Sequence, residues 1–250
     1  MRSLLSSLID YWPLHEASGN RESALAQHAL TDTNTVTQAQ GRAVYAGQFT
    51  ATSSERLVAT SDSALQTGDI EWTLACWVYH DTLPGTAMYL VGKDNGSTQR
   101  EYALRWGGTR FQAIGFRSGP TIVTVSADTL GAPATATWYF VTGWHDSVAD
   151  TINIEVNMTG VDSAATAGAF ITSTADLNLG ASANGASFLD GRLCEVAFWK
   201  RILTTQERAW LYNSGMGRTY PFDGRPSPVA LGRGHGRVGK RRSRVPGMVA

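Results

Sequence analysis

The sequence predicts an all-β fold: an antiparallel two-sheet β-sandwich with one short C-terminal helix and an extended C-terminal arm. Three observations carry this. Apolar and polar residues alternate at period 2 along most of the chain, turn-forming residues separate the alternating runs, and one segment carries a helix-start signature. A dozen short strands at this spacing read as a sandwich.

In chain order, a strand opens near Leu8, followed by strands at Ala43–Phe49 and Arg56–Ala59. Trp72–Tyr79 is apolar on both faces and reads as a central strand covered on both sides; Trp138–Trp144 has the same character. Further strands are expected at Ala87–Lys93, Glu101–Trp106, Phe111–Arg117, Thr121–Val125, Ala169–Thr172, Leu177–Gly180 and Leu193–Trp199. Along 152–157, Ile152, Ile154 and Val156 face one way and Asn153, Glu155 and Asn157 the other, as in a strand with one wet face. The turns at 93–97, 106–109, 117–120 and 183–186 carry the Gly, Asn and Pro that tight reversals need. Thr204 to Glu207 fits a capping box, with Leu203, Trp210 and Leu211 forming one buried stripe and Gly215 supplying a left-handed cap. No internal repeat is evident.

The 250 residues suffice for a substantial single core. Residues 1–222 are read as the folded domain and 223–250 as a basic Gly/Pro/Arg-rich arm. The formal charge sums to zero but is unevenly spread. Seven basic residues, Arg225, Arg233, Arg237, Lys240, Arg241, Arg242 and Arg244, stand in the arm against Asp223. That leaves 14 basic and 20 acidic residues in 1–222, a net of −6. The arm could not offset its own ordering entropy alone, so it is expected to order only against a partner, if at all. It lacks interleaved aromatics, which argues against nucleic acid. No run approaches the ~18 apolar residues of a membrane span. The N-terminus has no signal-peptide core and reads as the lead into the first strand. Cys76 and Cys194 lie in strand-like runs and read as reduced core thiols, with a single disulfide left open.

Several segments together resemble a known family. The opening L-I-D-Y-W-P-L-H-E-A-S-G-N (8–20), G-R-A-V-Y-A-G-Q-F (41–49), I-E-W-T-L-A-C-W-V-Y (70–79), T-W-Y-F-V-T-G-W (137–144) and the closing strand and helix of 191–213 resemble, in order, the laminin-G-like, concanavalin-A-like jelly-roll domains. The resemblance covers residues 8–222 and implies a jelly roll. Some relatives hold calcium at the sandwich rim. The candidates here are scattered, Asp94, Asp190 and Glu195, and Cys194 stands where relatives often carry an acid. Other relatives are glycoside hydrolases. Their paired carboxylates on one strand face are missing; the nearest groupings, Asp69/Glu71 and Asp146/Asp150, fall at strand edges or in a loop.

No other catalytic or metal motif stands out: His15, His28, His80, His145 and His235 show no ligand spacing, and nucleophile-elbow and phosphate-loop patterns are missing. Of the tryptophans, Trp72, Trp77, Trp138, Trp144, Trp199 and Trp210 read as core. Trp106, beside a tight turn, is the expected exposed platform for a sugar, with Arg105, Asp94 and Asn95 on nearby loops. The expected function is that of a non-enzymatic virion structural protein of a bacteriophage, capsid-decorating or tail-associated. Such a protein is made in the host cytoplasm, needs no leader, and would bind weakly to glycans. Its arm would contact neighbouring subunits in a homo-oligomer or a major capsid or tail protein. The alternatives are an extracellular carbohydrate-binding module and a glycan-active hydrolase.

Overall fold

The computed structural model describes residues 3–119 and 121–223. In chain order the strands are β1 (Leu8–Trp12), β2 (Thr31–Thr33), β3 (Thr37–Gln40), β4 (Tyr45–Phe49) and β5 (Arg56–Ala59). Next come β6 (Trp72–His80), β7 (Met88–Asp94), β8 (Arg100–Trp106), β9 (Phe111–Arg117) and β10 (Thr121–Ser126). The last are β11 (Trp138–Asp146), β12 (Thr151–Val156), β13 (Val161–Ala165), β14 (Leu177–Leu179) and β15 (Gly191–Trp199), followed by the helix α1 (Thr205–Tyr212).

They form two antiparallel sheets packed as a sandwich. One has eight strands in the order β13-β12-β11-β6-β15-β4-β3, with β1 also on β15; the other has seven, β10-β9-β8-β7-β14-β5-β2. Alternation along each strand sends one set of side chains inward. Leu74, Cys76 and Val78 of β6 join Leu193, Val196 and Phe198 of β15 in the core between the sheets. Ala75 and Trp77 point the other way and, with Cys194 and Trp199, form a second apolar cluster on the outer face. Leu4, Leu203, Leu211 and Phe222 cover that cluster, so the sequence's two-faced strand is indeed central and buried on both sides. The same alternation puts Cys76 and Cys194 on opposite faces; both are buried and unpaired.

β15 explains how β1 and β4 share one neighbour. Its first half pairs with β4 and its second half with β1. Between them the register shifts at a bulge, where Glu195 takes a left-handed φ of 53°.

The sequence and the structure differ at the edges. Ala169–Thr172 contributes only one bridge, Phe170 with Arg117. β2, β3 and β13 were not expected, because short, largely exposed edge strands bury too little to need alternation. The capping box forms: Thr204 Oγ1 accepts from the Glu207 amide, and the Glu207 carboxylate accepts from the Thr204 amide. The left-handed cap falls on Asn213 rather than Gly215, since Asn also tolerates that conformation. Trp210 is 39% exposed, not part of a buried stripe; the Arg218 guanidinium lies 3.7 Å from its ring centroid.

Candidate functional site

Half-buried aromatic and polar side chains form a single cross-strand row on the outer face of the eight-stranded sheet. Trp138 pairs with Tyr79, Tyr79 with Arg192, Arg192 with Gln48, and Gln48 with Thr37. Directly opposed residues share a face, so five strands contribute one side chain each. The row spans about 19 Å at the usual strand spacing. The adjacent row, with Phe140, Trp77 and Cys194, is closed over: Tyr212 stacks on Trp77 at 5.8 Å, and the Arg42 guanidinium lies 5.5 Å from the Trp77 ring. The helix and its following turn thus stop one row short, and Trp138, Tyr79, Arg192 and Gln48 are half-buried on an open ledge.

The ledge has an aromatic end and a polar end. The rings of Tyr79 and Trp138 meet at 5.4 Å and 52°. Arg192 lays its guanidinium 4.6 Å from the Tyr79 ring centroid and donates from Nε to Gln48 Oε1 at 2.8 Å. Gln48 Nε2 donates to Asp81 Oδ2 at 2.8 Å, and the Asp81 amide donates to the Asp190 carbonyl. Thr82 Oγ1 donates to Asp190 Oδ2 at 2.9 Å. Partly exposed rings offer flat apolar faces, while convergent donors and acceptors can fix the orientation of a polyhydroxylated ligand.

The expected platform, Trp106, is not exposed. It ends β8 with its side chain turned inward, 3% accessible, against His80 and Phe111, and its indole N–H donates to the Pro84 carbonyl at 2.7 Å. Its position next to a turn suggested exposure, but strand alternation sets its direction. Of its expected companions, Asp94 and Arg105 both reach Tyr89 on the outer face of the seven-stranded sheet. Asp94 is fully buried, gripped by Arg100 at 2.6 and 2.9 Å, while Arg105 donates to Gln112. Burial pushes the Tyr89 phenol up to about 12, and the Asp94 charge adds to the shift. Asn95 Oδ1 is spent on the turn, accepting from the amides of Ser97 and Gln99. These four residues therefore form a closed structural network and a core contact, not an open site.

The carboxylates do not fit a calcium site. Asp94 is held by Arg100, Asp190 by Thr82, and Glu195 lies buried at the β15 bulge with Oε1 2.9 Å from His15 Nε2. Burial raises the Glu195 carboxyl well above its ordinary range, which opposes cation binding. Among the described residues no group of three or more His, Cys, Asp or Glu converges. The arm residues Arg225, Arg233, Arg237, Lys240, Arg241, Arg242 and Arg244 lie outside the described residues.

His80 closes the inner end of the ledge strand. Its side chain is fully buried, and neither ring nitrogen has a hydrogen-bond partner. Burial lowers its pKa to about 4, against a weaker opposing pull from Asp190. The native state therefore binds its proton only below about 4, whereas the unfolded state binds it below about 6.5. Stability falls as pH drops through that window. Urea unfolding at pH 6.5 and pH 5 is expected to show that His80→Leu removes about 2 kcal/mol of acid destabilisation. Equal pH dependence in both proteins would contradict it.

The sandwich and its half-open aromatic ledge define a lectin-like jelly roll. The chain belongs to the concanavalin A-like lectin/glucanases superfamily, whose laminin-G-type model matches residues 52–207. No curated protein sequence matches it. Among solved structures, it is similar to the binding domain of a paraclostridial mosquitocidal protein, at 13% identity and a TM-score of 0.68 over 84% of this chain and 52% of that one. It is similar to domain 4 of an extracellular arabinanase from Geobacillus stearothermophilus, in complex with arabinotriose, at 14% identity and a TM-score of 0.59, covering 85% and 98%. A third is the botulinum neurotoxin serotype D ligand-binding domain in complex with N-acetylneuraminic acid, at 9% and 0.61, covering 83% and 50%. The chain thus spans about half of each toxin domain, and at these identities the likeness is one of fold.

Proposed function

We propose that this protein is a non-catalytic glycan-binding module whose ligand lies along the Trp138–Tyr79–Arg192–Gln48 ledge. The observation that carries the reading is the half-buried aromatic pair running directly into a hydrogen-bonding row, where the helical cover ends. The two ledge-end carboxylates, Asp81 and Asp190, accept from Gln48 and Thr82. The toxin binding domains and the arabinotriose-bound domain share the fold and support the same class of role. A glycan array tests it: saturable binding that is lost when Tyr79 and Trp138 are both replaced by alanine is expected. A blank array, or binding indifferent to that change, overturns it.

The finer reading, display on a bacteriophage virion with the arm contacting a neighbouring subunit or capsid or tail protein, rests on the charge contrast between residues 1–222 and 223–250. Truncation after Phe222 is expected to abolish self-association measured by sedimentation at low salt. Unchanged association would remove the arm from the account.

A further inference from the structure

Resting on the glycan-binding reading, we infer that the ledge selects neutral oligosaccharides and disfavours carboxylated ones, sialylated or uronic. Recognition of a sugar carboxylate favours a cation whose full fork of donors is open and that lies away from other carboxylates, and the ledge's own cation is Arg192. Its Nε edge is already used: Nε donates to Gln48 Oε1 at 2.8 Å, which closes the side-on fork that carboxylates take on arginine. Its guanidinium plane rests on Tyr79. Through Gln48 it is coupled to the exposed carboxylate of Asp81, 2.8 Å from Gln48 Nε2. Asp190, one position before β15, adds a second carboxylate at the same end. Arg42, in the adjacent cover, is turned over Trp77 and onto the Gly215 carbonyl.

Two carboxylates thus stand at the ledge end that holds one partly engaged guanidinium, on a body whose sequence is net negative over 1–222. An incoming carboxylate meets like charge, which weakens its binding and slows its association. A neutral sugar meets the opposite situation. Its hydroxyls can donate to Asp81 and Asp190 and accept from the free amino groups of Arg192, while its apolar ring face packs on Tyr79 and Trp138. The carboxylates that exclude an acidic ligand are then the acceptors that hold a neutral one.

The test uses the full chain on an array of matched pairs: N-acetyllactosamine against its sialylated form, and xylotriose against glucuronoxylotriose. The expected result is at least tenfold stronger binding to a neutral member, lost in Trp138→Ala. The double variant Asp81→Asn, Asp190→Asn is expected to narrow the neutral-to-acidic ratio several-fold. Stronger binding to an acidic member that Trp138→Ala abolishes overturns neutral selection and leaves the ledge standing. Binding of any member that survives Trp138→Ala, or no binding at all, removes the ledge and this inference together.

Discussion

Replacing Trp138 with alanine is expected to weaken glycan affinity about 30-fold, roughly 2 kcal/mol, while the protein stays folded. Trp138 begins β11, is half-buried, and meets the Tyr79 ring at 5.4 Å and 52° on the ledge rather than in the core. Truncating it removes ligand contact area more than fold-stabilising contact. Trp106 provides the contrast. It is buried against His80 and Phe111 and tied to Pro84, so Trp106→Ala opens a cavity and is expected to cost about 3–5 kcal/mol of stability. Calorimetric titration and thermal melts on both variants separate the two roles. If Trp138→Ala lowers the melting temperature as much as Trp106→Ala does, the ledge residue is structural and the site is misplaced.

Arg201→Met is expected to cost about 3–5 kcal/mol, lowering Tm by roughly 10 °C for a chain of this size. Arg201 grips Glu207 with two bonds of 2.8 Å, and Glu207 is almost fully buried while also capping α1. Burial alone would raise the Glu207 carboxyl, but Arg201 and the Thr204 cap hold it below its ordinary range. Its stabilising contribution is therefore present above the unfolded-state pKa of 4.5 and is lost as pH falls through the depressed native value. Without Arg201 a buried charge is left unpaired, which burial would push towards the neutral acid. The difference between wild type and variant should then narrow when melts are repeated near pH 4. A loss below about 1 kcal/mol at pH 7 would show that the pair is a solvated surface contact.

Local patterns were legible in advance. The two-faced apolar run of β6 and the Thr204–Glu207 box depend on neighbours a few residues away and form as their patterns imply, whereas the expected wet face of β12 is covered: Asn153 and Glu155 are buried, with Arg208 of α1 donating to Glu155. The edge strands were hidden because exposed backbone pairing leaves little mark on side-chain type. The ledge was hidden for another reason. Period 2 does put Tyr79 on the same side as Trp77, but nothing local says that Trp77 is covered and Tyr79 is not. That depends on where α1 and the 212–222 segment come to rest.

The sandwich, its central strand and its capped closing helix follow from local pattern, because period-2 burial and capping are encoded within short stretches. Which aromatics face solvent follows only from how the strands assemble. Thr37, Gln48, Tyr79, Trp138 and Arg192 are neighbours solely because β3, β4, β15, β6 and β11 lie side by side in an order unlike the chain's. Strand order and register are set by the packing of the whole core, so the site that a ligand would meet is a property of the assembled sheet.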